Sequence, residues 1–595
     1  MGSDLSEKIK VLESLVKIPF YSVAGFARGK VIYVSDAEGV MSLWSLDPAS
    51  GESRRLTKEP IHSIARPHPK SKYLVFTRDV TRGKELQKPF IVSVDGGDEE
   101  LLADVPPMRF FGMVWDGERE RLIFSAATSS GMGLFVAERG TYEKLMDLDT
   151  IMYPTDVEGD LVVGAGMLRK NPMSMELFLY DINDGELKVY TPKEGSVNKE
   201  PVIKNGKILF ESNFEGSNAL YIYDTTSEEL TQPKFSYGDY HEYGAFEHLA
   251  YGWLNDGRVW VVAKKNGRTR PFIDGKMIAA PEGTVGYLAI NEDAMRAYYS
   301  ASSLTTPPKI YEVDLERNEY RVLLDNPLPK ELEDRIGKSY FVKYRSSDGL
   351  EIPMYVVESA IASKPGPTVV YVHGGPWSEV YDVWSTLINS LSVMGYHVLA
   401  PNFRGSTGYG EKFRLMDIGD PGGGDLEDVV AAAKWGIEKG IASKVAIMGY
   451  SYGGYMTYLA LGRKPGIWDA GVAGAGVVDW KEMYSLSDAL FKKFIEMLFN
   501  GINEKLMTER SPITYVHRVK APICIIHPQN DTRTPLRPVL RYVEELLKQG
   551  VTFEMHVVPD MGHVIKTVDD IMKIILPAIM FLDKYISRSG RSEEY

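Results

Sequence analysis

Between Ser22 and Leu324 the chain is a succession of short apolar runs broken by Gly, Asn, Asp and Pro, with little helical periodicity. One pattern recurs in it: an apolar run closing on an acid, a polar turn, then a second short strand. The copies close at Asp47, Asp95, Glu138, Asp181, Asp224, Asp274 and Asp314, with separations of 48, 43, 43, 43, 50 and 40 residues. A period of about 40–50 residues suits one four-stranded propeller blade, and the lack of helices between copies argues against a solenoid. Such a unit cannot bury both faces alone, so neighbours must stack. The pattern therefore predicts an all-β seven-bladed propeller domain over residues 22–324. The recurring acids are read as turn caps, because an Asp carboxylate accepts backbone N–H groups of the turn that follows it.

From about Pro327 the pattern becomes an alternation of strands and helices, as in a largely parallel sheet with crossovers. Strand candidates are 368–373, 395–402, 444–450, 470–479, 521–527 and 552–559. Between them, 425–440 has acids in its first turn and Gly440 at its end, and 535–550 opens on Pro535, both good helix punctuation. Residues 325–595 are thus expected to form an α/β-hydrolase catalytic domain. At the other end, Ile9, Leu12, Leu15 and Val16 recur at helical spacing, which predicts a short amphipathic helix within residues 1–21.

Length agrees with this division, since 595 residues exceed what one hydrophobic core usually supports. A net charge of −13 disfavours nucleic acid and anionic membrane surfaces, which recruit Lys and Arg. No segment reaches about 18 consecutive apolar residues, and the first residues mix acids and lysines rather than forming a signal sequence. These features lead us to expect a soluble, cytoplasmic protein. Cys524 is the sole cysteine, which excludes an intramolecular disulfide and a thiolate metal cluster. Within the apolar run PICIIH it reads as a buried structural thiol.

The chemistry concentrates at Gly449-Tyr450-Ser451-Tyr452-Gly453, which follows a predicted strand and leads into a helical run. This is a G-x-S-x-G elbow in the strand–turn–helix context that gives it meaning. A serine needs a base and an acid to orient that base. Of ten histidines, His563 lies in the loop after the last predicted strand, where this fold places its base, whereas His556 lies within that strand. For the acid, Asp531 follows the penultimate strand; Asp479, one strand earlier, competes with it, and Asp560 is too close to His563 to be favoured. The dipeptide after the strand TVVYVH, in His373-Gly374-Gly375-Pro376, offers the Gly375 N–H to a developing oxyanion, and Tyr452 offers a second.

The segments HGGPW (373–377), NFRGSTGYG (402–410), GYSYGGYM (449–456), HPQNDTRTP (527–535) and PDMGH (559–563), behind a seven-bladed propeller, resemble the prolyl oligopeptidase family of serine peptidases. Within it the chain looks most like the archaeal acylaminoacyl peptidases, and the resemblance spans nearly the whole sequence. It implies a serine exopeptidase that releases an N-acylated amino acid from a blocked peptide, with esterase activity on small acyl esters. The propeller would then exclude folded proteins, and the N-terminal helix would pack on the hydrolase domain. Carried over, Ser451 is nucleophile, His563 general base, Asp531 its orienter, and Gly375 and Tyr452 the oxyanion hole. The matching apolar specificity pocket is Val477, Trp480, Phe491 and Phe494, with Phe494 foremost. Arg533 is expected to pair with propeller Glu85 across the domains.

The resemblance further implies a homodimer and short acylated peptides as substrates, while the sequence itself calls for no cofactor or metal, having no complete EF-hand loop, no H-E-x-x-H and no Gly-rich phosphate loop ending in G-K-S/T. A prolyl endopeptidase or a carboxylesterase using the same triad is the alternative. A non-catalytic propeller adaptor is disfavoured by the intact elbow, acid, histidine and glycine pair.

Overall fold

The computed structural model describes residues 2–240, 242–243 and 250–587; His241 and His248 lie outside the described residues. Seven antiparallel sheets follow one another over 21–55, 63–101, 109–148, 152–190, 198–231, 242–277 and 284–324. Each runs as a meander in chain order, and in the sixth and seventh the first strand is split into two pieces. The seven acids of the repeat stand at the end of a third strand or within two residues past it. Asp47, Asp224 and Asp314 each accept two N–H groups of the following turn, as the cap reading requires. Asp274 instead accepts the Val259 N–H of the strand beside it.

Apolar clusters bridge successive blades, for example Val75 and Ile91 of the second against Trp115, Leu122 and Phe124 of the third. That is the stacking which a meander buried on both faces demands. The ring closes the same way: Val23, Val31 and Tyr33 of the first blade pack on Ala289, Tyr298 and Ile310 of the seventh. No backbone ladder joins those two blades among the described residues.

The second unit is built on an eight-stranded sheet. An antiparallel hairpin, Lys338–Arg345 with Glu351–Glu358, pairs onto His397–Pro401. From there Gly366–Val372, Ala442–Tyr450, Ala470–Gly474, Ile523–Pro528 and Phe553–Val558 add in parallel. All six strands expected from the sequence are present; the hairpin was not among them. One apolar layer covers each face, holding the helices Gly424–Glu438 and Tyr452–Arg463 on one side and Val568–Leu582 on the other. The helix Gly2–Val16 joins the latter side through Leu12 and Val16, packed with Ile388, Leu391 and Ile574. Among the described residues no helix is long and apolar enough to cross a membrane.

The loops that leave the carboxyl ends of the parallel strands face the propeller. In α/β sheets of this kind that end is where ligands bind.

Candidate active site

Ser451 ends the strand Ala442–Tyr450 and precedes the helix Tyr452–Arg463, with φ 59° and ψ −119°. Such backbone strain in a residue with a side chain survives only where its surroundings impose it. They do so here through two glycines. A Cβ at Gly449 would lie 2.4 Å from the Gly453 backbone, and one at Gly453 would lie 2.0 Å from the Val372 carbonyl oxygen. Only hydrogen at both positions lets strand and helix approach so closely, and the approach pushes the Ser451 hydroxyl outward.

His563 lies in the loop after Phe553–Val558, and its Nε2 is 2.9 Å from the Ser451 Oγ. Its Nδ1 is 2.7 Å from Asp531 Oδ2. Asp531 also accepts the N–H groups of Arg533 and Thr534 and the Thr534 hydroxyl. Burial alone would raise this carboxyl; the His563 charge and hydrogen bond, with these further donors, hold it below the ordinary carboxylate range. The competing residues are elsewhere occupied. Asp479 caps the helix Trp480–Leu486 and pairs with Arg541. Asp560 is solvent-exposed, and the half-exposed His556 faces Glu554.

Gly374, Gly375 and Tyr452 border the same cavity as Ser451 and His563. Tyr452 is the first residue of its helix, where the N–H has no intrahelical acceptor. A Cβ at Gly374 would sit 3.3 Å from that of Ser451, so the glycine strand end closes tightly on Ser451. His373 beside it is bonded through Nε2 to Ser406 and stacked on Phe403; burial pushes its imidazole down to about 4, leaving it neutral.

The cavity, of about 960 Å³, lies between the two units. Val477, Trp480, Phe491 and Phe494 all border it, joined by Trp377 and Met483. Phe494 meets Trp377 edge to face at 5.4 Å, while Trp480 is wedged between Tyr455 and Phe499 and belongs largely to the core. The propeller contributes Lys199, Glu200, Glu211, Tyr251 and Lys264, none of which a sequence spacing singled out. Lys199 pairs with Glu411 and Lys264 with the buried Glu379, so ion pairs join the units around the cavity.

Arg533 and Glu85 meet as expected, in a two-pronged pair of 2.8 and 2.6 Å. Arg109, which the sequence reading missed, completes a larger cluster. It donates to Glu85 (2.6 Å), to Asp488 at the start of the Phe491 helix (2.5 Å) and to Thr532 beside Asp531 (2.7 Å). Its guanidinium also lies over the Phe491 ring. Cys524 is fully buried, and burial pushes its thiol up to about 12.

Two family models match, the first being the Acylamino-acid-releasing enzyme-like N-terminal domain over residues 32–311. Residues 383–589 match the prolyl oligopeptidase family. Dipeptidyl aminopeptidase BIII of Pseudoxanthomonas mexicana is 31% identical over 40% of this chain and 35% of that one. Acylamino-acid-releasing enzyme 1 of Oryza sativa subsp. japonica is 26% identical over 52% of this chain and 45% of that one. The matches thus span less than half the length of these two curated relatives. A puromycin-hydrolyzing peptidase of Mycobacterium tuberculosis superposes with a TM-score of 0.83 at 17% identity, over 98% of this chain and 97% of that one, a likeness of fold. The two matched regions fall on the propeller and on the α/β sheet, so each unit carries its own family match.

Proposed function

We propose that the protein is a serine exopeptidase that releases an N-acylated amino acid from the N-terminus of a short blocked peptide, and that it also cleaves small acyl esters. The observation that carries this reading is the unbroken hydrogen-bonded series Ser451, His563, Asp531 at the wall of a cavity closed over by the propeller. In the proposed reaction the Ser451 Oγ attacks the scissile carbonyl as its proton passes to His563 Nε2, and Asp531 steadies the resulting imidazolium. The amides of Gly375 and Tyr452 take the oxyanion. His563 then gives the proton to the leaving amine, and water repeats the sequence to free the acyl group from Ser451. Val477, Phe491 and Phe494 receive the apolar side chain of the acylated residue. A cavity of this volume suits a short peptide rather than a folded chain.

A panel of acetyl-Leu, Gly-Pro and short-chain ester p-nitrophenyl substrates, followed by acylated peptides of increasing length, tests the proposal. Preference for acetyl-Leu and a fall in rate with peptide length are expected; preference for Gly-Pro would favour a prolyl endopeptidase instead. A second reading has one observation behind it. Glu200 and Glu211 line the propeller side of the cavity, which would suit a substrate with a free amine such as puromycin. Comparing acetyl-Leu with Leu p-nitroanilide separates the two readings.

A further inference from the structure

We propose that Asp425 is a positioning residue for the oxyanion-binding amide of Tyr452, acting through the Tyr452 hydroxyl. The proposal rests on the reading of Ser451 as nucleophile and adds a second tether to its neighbour. Asp425 stands in the first turn of the helix Gly424–Glu438, a place where an acid ordinarily faces water and complements the helix dipole. Here it is 1% exposed. Its Oδ2 accepts the Tyr452 hydroxyl at 2.6 Å and the Gly422 N–H at 3.1 Å, and its Oδ1 accepts the Leu426 N–H at 2.8 Å. One carboxylate thereby ties the beginning of this helix to the beginning of the helix that follows the nucleophile.

The tie matters because of where Tyr452 is held. Its backbone begins the helix just after the elbow, where its N–H has no intrahelical acceptor to hold it, and its ring is packed between Phe403 and Tyr455, at centroid distances of 6.1 and 5.1 Å. The hydroxyl at the far end is the remaining point where the residue could swing, and Asp425 fixes it. With the ring held at its packed faces and at its hydroxyl, the Tyr452 side chain keeps the start of the helix in place and the Tyr452 peptide aimed at the oxyanion. Burial pushes the Asp425 carboxyl up to about 6, against the pull of its Tyr452, Gly422 and Leu426 donors. Its placement thus costs stability, which is expected where function requires a group.

The test is a pair of variants, Tyr452→Phe and Asp425→Asn, with their combination. The rate of Ser451 labelling by a fluorophosphonate reads the oxyanion site without any assumption about peptide specificity. Tyr452→Phe keeps the amide and the ring and removes only the hydroxyl. Losing alignment of one oxyanion donor is worth roughly 10- to 100-fold in rate. We therefore expect Tyr452→Phe to slow labelling and kcat by about 10- to 100-fold with KM changed less than about threefold. Asp425→Asn, whose amide oxygen still accepts the hydroxyl, should lose less, and the double variant should be no slower than Tyr452→Phe alone. A merely structural contact would lower the melting temperature without this kcat-specific loss. Labelling of Tyr452→Phe at the wild-type rate, or losses that multiply in the double variant, would overturn the proposal while the nucleophile reading stood. A wild-type protein that resists the fluorophosphonate would overturn both.

Discussion

Replacing Glu85 by Gln removes one charge from the centre of the interdomain cluster and leaves its shape intact. The Glu85 side chain is 1% exposed, Arg109 is 5% and Arg533 is 33%. Breaking a buried ion pair from one side costs about 3–5 kcal/mol, because the partner charge stays buried. Arg533 is a third exposed, so water screens it and its share is under about 1 kcal/mol. Arg109 keeps a second carboxylate, Asp488, at 2.5 Å, which places the expected loss near the lower limit, about 3 kcal/mol.

That is roughly two decades in an equilibrium constant. Chemical denaturation of wild type and Glu85→Gln reads it directly. Because Arg109 and Arg533 both lie over Phe491 and flank the Asp531 loop, kcat/KM on acetyl-Leu p-nitroanilide should fall as well. In wild type, burial alone would raise the Glu85 carboxyl, but Arg533 and Arg109 outweigh it and hold the group well below its usual value. Its contribution is therefore present above the unfolded value of 4.5 and is lost only as pH falls through the lower folded value. A Glu85→Gln protein with wild-type denaturation, wild-type kcat/KM and an unchanged acid limb would refute the reasoning.

Three further outcomes follow from the same geometry. Asp417 is buried, and burial with the nearby Asp425 charge pushes its carboxyl up to about 8, so the folded state holds a proton that the unfolded state releases near 3.8. Stability should fall as pH rises between these values, and Asp417→Asn should gain in melting temperature over wild type progressively from about pH 4 to pH 8; a difference independent of pH would contradict this. A Cβ at Gly562 would lie 1.7 Å from the Gly83 carbonyl oxygen, so Gly562→Ala must displace the loop carrying His563, and a drop in kcat of at least about tenfold is expected in steady-state assays. Phe494→Ala should weaken kcat/KM for acetyl-Phe over acetyl-Ala substrates by about 1–3 kcal/mol of discrimination, measured by competition between the two.

What the sequence made legible was local. The elbow, the glycine pair after TVVYVH and the acid at each third-strand end are written within a few neighbouring residues, because a tight turn or a cap is decided there. Arg109 could not be found this way. It opens an ordinary strand, RFFGMVWD, and its partners stand 24, 379 and 423 residues away. Asp425 misled in another manner: its place in a first turn has a sufficient local explanation, and only packing shows that the side chain turns inward to Tyr452. The hairpin 338–358 escaped because its pairing with His397–Pro401 is antiparallel in a sheet otherwise read from its parallel alternation.

The three residues of the proposed triad are supported unequally, and the difference follows from where each is anchored. Ser451 is held within the α/β unit, by the elbow glycines and by its N–H to the Gly474 carbonyl. The loops of Asp531 and His563 lean on the propeller as well. Asn530 and Thr532 donate to the carbonyls of Arg82 and Lys84, Arg533 grips Glu85, and Gly562 lies against Gly83. One propeller segment, residues 82–85, thus shapes both the loop of the acid and the loop of the base. Ser451 is thus anchored without the propeller, whereas the Asp531 and His563 loops that complete its hydrogen-bonded series share their supports with the interface between the units. A charge cluster at that interface is therefore bound to the order of the Asp531 and His563 loops, and weakening it should lower turnover along with stability.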